Sequence, residues 1–188
     1  MPKKIILASG SSIRKTMLAD AGIEFEVIKP LCDEDAVKEQ LSHLDVKDLA
    51  LELAKAKALS VSEVYPDAYV IGSDQICECE GQIISKSYDE QSAYVSLKFL
   101  SGKTHRQING TCVYFNKQPI MQNTSIAELI VRNLDDEEIL DYIELDSPIG
   151  CAGSYKYEEN GKMLFEEISG DDETILGFGL SAVLKILN

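Results

Sequence analysis

Apolar positions along the chain alternate between compact runs that suit strands and the three-to-four-residue spacing that suits helices. Lys4 to Leu7 reads as a buried strand, and the small-residue turn Ala8-Ser9-Gly10-Ser11-Ser12 follows it. A helix then runs through Ala21, with Met17, Leu18 and Ala21 on its apolar side and Gly22 as a stop. Phe25 to Ile28 is a second short strand ended by Pro30, after which Asp33 and Glu34 read as loop. Asp45 caps a helix to about Val64, with Leu49, Leu53 and Ala56 at helical spacing. Tyr69 to Gly72 is a strand leading straight into Ser73-Asp74-Gln75. Ile76 to Glu80 and Gln82 to Ile84 flank Gly81 as a hairpin.

Asp89 opens a helix with Ala93, Leu97 and Leu100 on one face, closed by Gly102. Two long β-rich segments, 104–116 and 120–131, are joined through Asn116-Lys117-Gln118-Pro119. Asp135 and Glu138 form a capping box ahead of Ile139, Tyr142 and Ile143. A last strand lies near Met163 to Ile168, and a final helix runs from about Leu180 to Leu187. Helices and strands alternate early and a β-rich middle follows, which predicts an α/β chain with a mixed sheet. No internal repeat and no low-complexity linker interrupts it.

Composition narrows the function classes. With 188 residues, 45% apolar and 27% charged, the chain has the makings of one domain or two closely joined lobes. A formal net charge of −14 argues against a nucleic-acid partner, which wants a basic face. A small anion remains compatible, given a local cluster of cations and help from a divalent metal. The five cysteines, Cys32, Cys77, Cys79, Cys112 and Cys151, are odd in number and scattered, as reduced thiols in the cytoplasm would be. Cys77 and Cys79 lack a second pair at zinc spacing and read as plain strand cysteines. The apolar run after MPKK is too short for a signal peptide, and no stretch approaches the roughly 20 apolar residues of a membrane helix.

Three constellations bear on chemistry. The turn at Ser9 to Ser12 opens a helix whose first turn holds Arg14 and Lys15. Cations there oppose the helix dipole, which makes more sense with an anion at the turn, though an ordinary βα turn has the same shape. It is not a Walker loop, because the G-x-x-x-x-G-K-[ST] spacing is absent. Asp74, directly after an apolar strand, stands where ligands of α/β sheets bind and can hold a metal or take a proton from water; a turn aspartate is the plain alternative. Lys57, Lys86 and Lys156 are separate lysines whose convergence spacing cannot reveal. His43 and His105 have no metal-ligand spacing, and His105 reads as structural.

Taken together and in order, ILASGSSIRKTML, PLCDE, LAKAKA, VIGSDQ, LSGKTH, CAGSYKYE and LFEEISGDDETILGFGL resemble the Maf family of nucleotide pyrophosphatases from Ile5 to Leu187. The resemblance implies a single domain, 1–188, with an elongated α/β fold and a central mixed sheet flanked by helices, in two lobes around a deep cleft. It also implies cleavage of a nucleoside triphosphate to the monophosphate and pyrophosphate, dependence on Mg²⁺ or Mn²⁺, a small-molecule nucleotide as partner, and frequent homodimers. Asp74-Gln75, CAGSYKYE and LFEEISGDD resemble the 7-methyl-GTP branch, whereas the dTTP/UTP branch carries Thr after that Asp.

Carried over position by position, Asp74 matches the catalytic proton acceptor and Glu34 an acidic residue near the metal, which Asp74 shares. Ser9, Arg14 and Lys15 match the phosphate-binding signature, and Lys57, Lys86 and Lys156 further substrate-binding lysines. Ile13, Gln75 and Glu158 match positions linked to base preference. The family's S-x-S-P is followed by Arg or Trp and another Arg; here Ser12 replaces the Pro, and Ile13 supplies no π face for a methylated purine. The usual G-K-P is Ser85-Lys86-Ser87, and the usual G-L-P is Gly177-Phe178-Gly179. Two other activities stay open: a pyrophosphatase for dTTP/UTP or deaminated purine triphosphates, and a non-catalytic nucleotide-binding regulator of cell division.

Overall fold

The structure, a computed structural model, describes residues 3–187. Its elements in chain order are β1 (Ile5–Leu7), α1 (Ser12–Asp20), β2 (Glu26–Val27), α2 (Glu34–Gln40), α3 (Val46–Ser62), β3 (Tyr69–Cys79) and β4 (Gln82–Ile84). There follow α4 (Glu90–Leu100), β5 (Thr104–Phe115), β6 (Gln118–Val131), α5 (Asp136–Asp146), β7 (Phe165–Ser169), α6 (Asp172–Ile175) and α7 (Leu180–Leu187). The strands form one seven-stranded sheet in the order β2-β1-β3-β5-β6-β7, with β4 paired to β3. β1 runs parallel to both β2 and β3, while β3–β4 and β6–β7 are antiparallel. The mixed sheet expected from the alternation of elements is present.

Contacts divide the chain into two compact units. The first holds the residues through Gln75, Asn109–Ser125 and the chain from Leu176 on. Successive strand residues there feed opposite faces, as the two-residue period requires. Ile6, Val70 and Cys112 pack with Ala54, Ala58 and Val61 of α3. Their neighbours Leu7, Ile71 and Val113 pack with Leu18 of α1 and Phe178 and Val183 at α7. Both faces of this part of the sheet are therefore covered by helices, which is why its strands read as continuous apolar runs.

The second unit holds Ile76–Ile108 and Ile126–Ile175. The β3–β4 hairpin turns at Glu80 and Gly81, both with positive φ, a primed turn that matches strand twist. α4 begins at Asp89, whose carboxylate accepts from Ser92 N, and α5 begins with the reciprocal Asp135–Glu138 box. Tyr155 and Phe165 stack edge to face at 4.9 Å.

Several boundaries differ from the expectation. Asp33 and Glu34 are not loop: Asp33 accepts from Ala36 N and caps α2, with Glu34 and Asp35 in the favoured acidic first turn. The strand after Tyr69 does not end at Gly72 but continues as one element to Cys79. The last strand starts at Phe165 because Gly161–Leu164 form a 3-10 turn first. The long helix ends at Ser62, two residues earlier than its apolar spacing suggests. No helix among the described residues is long and apolar enough to cross a membrane.

Candidate active site

Asp74 lies within β3, not past its end. β1 pairs with β3 as far as Leu7 opposite Ile71, and β4 takes up the pairing from Cys77 opposite Ile84. Asp74 falls between those two stretches, so a carboxylate sits mid-strand where one neighbour has ended and the next has not begun. On the β5 side, Asn109 Nδ2 donates to the Asp74 carbonyl at 2.8 Å.

The cation facing Asp74 comes from α3. That helix approaches the sheet closely: a Cβ on Gly72 would lie 2.3 Å from Ala54 O, and one on Gly110 would lie 2.4 Å from Ala50 O. Ala50, Ala54 and Ala58 form the small-residue stripe that meets these glycines, all fully buried. One position before Ala58, Lys57 is itself buried. Its Nζ lies 2.6 Å from Asp74 Oδ1 and 2.7 Å from Glu34 Oε2. Burial pushes the Lys57 ammonium down, but Asp74 and then Glu34 outweigh it and the net shift is upward. Two carboxylates from different elements thus converge on one ammonium.

Arg14 turns inward from α1. Its Nε donates to Gly177 O at 2.8 Å, and its Nη1 donates to Ser73 O at 2.8 Å and Ser9 Oγ at 3.2 Å. Burial pushes the guanidinium down against the pull of Asp74 and Glu34, which places both carboxylates within its electrostatic reach. The presence of a cation in the first turn of α1 therefore has a local explanation in carbonyl partners, without an anion. Ser9 Oγ also accepts from Ser11 N at 3.2 Å, which shapes the turn after β1. Ile13 and Lys15 flank Arg14 on α1 and are half-buried. Gln75, half-buried on β3, lies against Gly177: a Cβ there would sit 2.6 Å from Gln75 Oε1.

The remaining predicted residues belong to the second unit. Lys86 is exposed after β4, next to Ser87, whose hydroxyl is buried and donates to Pro148 O at 3.2 Å. Burial pushes the Cys151 thiol up; Glu158 pushes the same way, and Lys156 and Lys86 pull against them. Lys86 is thus within electrostatic reach of the same thiol as Lys156 and Glu158, although it is distant from them in sequence. The loop bearing Lys156 and Glu158 is tied down by Lys156 N donating to Tyr142 Oη at 2.9 Å.

Glu34 and Asp74 are hard oxygen donors already sharing one cation, a pair that fits Mg²⁺ or Mn²⁺, which are commonly held by one or two carboxylates plus phosphate oxygens. Among the described residues no group of three or more His, Cys, Asp or Glu side chains is arranged for a metal. Within the first unit the structure thus brings together Arg14, Glu34, Lys57 and Asp74, two cations and two carboxylates. Sequence spacing missed the polar residues behind Asp74, namely Ser73, Asn109 and Thr111. Their signal is three consecutive non-apolar residues, Asn109-Gly110-Thr111, inside a strand whose flanks Ile108, Cys112 and Val113 are buried and apolar.

Known proteins carry the same arrangement of sequence. A solved structure of the Staphylococcus aureus Ham1 protein superimposes with a TM-score of 0.51 at 16% identity, covering 99% of this chain and 100% of that one, which shows a shared mixed α/β fold. A nucleoside triphosphate pyrophosphatase of Legionella pneumophila is 36% identical over 185 residues, 98% of this chain and 92% of that protein. Another of that name, from Ruegeria pomeroyi, is 35% identical over 191 residues, covering 100% of this chain and 96% of the relative. The family model described as "Maf-like protein" matches residues 4–188, and with relatives of this identity over nearly their whole lengths, the chain belongs to the Maf family.

Proposed function

We propose that this chain, a nucleoside triphosphate pyrophosphatase by family, cleaves a 7-methyl-GTP-type nucleotide to the monophosphate and pyrophosphate. The observation that carries the reading is the convergence of Asp74 and Glu34 on the buried Lys57 ammonium, at 2.6 and 2.7 Å. Asp74 orients a water and takes its proton as the water oxygen attacks the α-phosphorus. The bond from that phosphorus to the bridging oxygen breaks, and pyrophosphate leaves with the electron pair. Lys57 and Arg14 offset charge on the phosphates, and Ser9 and Lys15 hold them at the start of α1. This is positioning plus electrostatic stabilisation, the usual demand of phosphoryl chemistry. A divalent cation held by Glu34 and Asp74 would supply further charge neutralisation there.

For the base, Gln75 beside Gly177 offers an amide and Ile13 an aliphatic surface. The five free thiols suit a cytoplasmic location.

Pyrophosphate release is measured over canonical and modified triphosphates, with Mg²⁺ or Mn²⁺, beside 7-methyl-GTP. The expected outcome is fastest turnover of the methylated nucleotide, with Asp74→Asn slower by about 10²- to 10⁴-fold and still folded. Wild-type turnover in Asp74→Asn removes that residue from the chemistry. Nucleotide binding with no pyrophosphate from any substrate would replace the enzyme with a nucleotide-binding regulator.

A further inference from the structure

We propose that Asn109 and Thr111 of β5 are positioning residues for Asp74, fixing the peptide that carries the reacting carboxylate; this rests on the role of Asp74 given above. Asn109 is fully buried, and a buried amide is costly unless all its groups are paired. Groups that can only donate or only accept fix the direction of the bonds at the two ends of the network. The Gly179 N–H can only donate, and it does so to Thr111 Oγ1 at 3.1 Å. The Thr111 hydroxyl gives its own proton to Asn109 Oδ1 at 2.8 Å. The Asp74 carbonyl can only accept, so it faces the amide nitrogen and leaves Oδ1 turned towards Thr111. The two amide N–H groups of Asn109 then reach Ser73 Oγ at 3.0 Å and the carbonyl of Asp74 at 2.8 Å. Ser73 Oγ in turn lies 3.0 Å from both Gly110 O and Gly177 O and 3.1 Å from Thr111 Oγ1, three acceptors for its one proton.

The chain of bonds therefore ends on the backbone of Asp74 itself. It holds a mid-strand peptide at a point where pairing with β1 has ended at Ile71. Gly179 supplies the N–H at the head of this chain of bonds. Neither Asn109 nor Thr111 touches the carboxylate of Asp74 through any hydrogen bond described, so their action on it runs through the backbone.

The test uses full-length Asn109→Ala, Thr111→Val and Thr111→Ser beside wild type and Asp74→Asn. Thr111→Val keeps the shape and removes the hydroxyl, while Thr111→Ser keeps the hydroxyl. Pyrophosphate release gives kcat, and binding of a triphosphate analogue with a methylene between its α- and β-phosphorus atoms gives affinity. We expect Asn109→Ala and Thr111→Val to lower kcat by about 10- to 100-fold, with analogue affinity within about twofold, and Thr111→Ser to recover most of the loss. The proposal is overturned if either folded variant keeps wild-type kcat, if kcat and affinity fall in parallel, or if both variants fail to fold, since the network then serves the fold. An inactive wild type would instead overturn the enzymatic reading, and an active Asp74→Asn the role of Asp74.

Discussion

His105 and Lys57 are both buried titratable groups, and their surroundings send them in opposite directions. Lys57 has two carboxylates against it and its pKa rises. A raised ammonium contributes its stability at every pH below the ordinary lysine value and loses it only as pH climbs through the folded value, so neutral solutions do not probe it. His105 has no such partner. Its Nε2 lies 2.9 Å from the Tyr155 hydroxyl, which also accepts from Gln107 Nε2 at 2.6 Å. A neutral imidazole can take the tyrosine proton, and burial holds the ring neutral down to about 4, from an ordinary 6.5. A depressed folded value means that stability is intact above the unfolded value and drains as pH falls towards the folded one. Between pH 7 and 5 this one residue costs about 2 kcal/mol. Urea unfolding at the two pH values measures it: wild type loses that amount, and His105→Gln, which retains an acceptor for Tyr155, loses far less over the same interval. An equal loss in both would assign the pH dependence to other groups.

At the scale of elements, the site depends on how closely α3 lies on the sheet. Gly110 faces backbone atoms of α3: an added Cβ would meet Ala50 O at 2.4 Å, Ala50 C at 2.5 Å and Leu51 N at 2.6 Å. Backbone cannot swing aside as a flexible side chain can, so Gly110→Ala lifts the helix. Overpacking of this kind costs about 1–3 kcal/mol, and Lys57, carried on the same helix, moves away from Asp74. Gly10→Ala, with nothing within 4 Å of the new Cβ, is the control. Denaturant midpoints are expected to fall for Gly110→Ala and stay put for Gly10→Ala. The same helix shows what was legible in the sequence. Asp45 marked its start, and its apolar spacing marked the buried face, because caps and periodicity are local signals. The capping box of α5 and the glycine hairpin after β3 were legible for the same reason. The break expected after Gly72 did not occur, because strand continuity through Ser73-Asp74-Gln75 is set by β5 and its side chains, which lie more than 30 residues away. α2 was missed although Asp33 is an N-cap, since its seven residues bury none of their number and leave no apolar stripe. Lys57 and Asp74 were both nominated, but only the tertiary packing of Ala54 against Gly72 brings them together.

At the scale of the molecule, a chain with a net charge of −14 must admit a substrate that is itself strongly negative. Two effects of different range compete. Close cations such as Lys57 and Arg14 act over a few ångströms in a partly dry setting, where salt screens little, and Lys57 is already matched by two carboxylates. The overall acidity acts over tens of ångströms and is sensitive to ionic strength. At 10 mM salt the Debye length is about 30 Å, so an approaching triphosphate meets the field of most of the protein; at 100 mM it is about 10 Å and the distant charges fade. Approach should therefore become easier as salt is added, the reverse of a basic nucleotide-binding protein. With free Mg²⁺ held constant, kcat/KM is expected to rise about two- to fivefold between 10 and 100 mM KCl and to level off beyond, while kcat at saturation stays flat. A steady fall with salt would mean that local cations dominate the approach, and that the acidic exterior of this family member has no part in setting its rate.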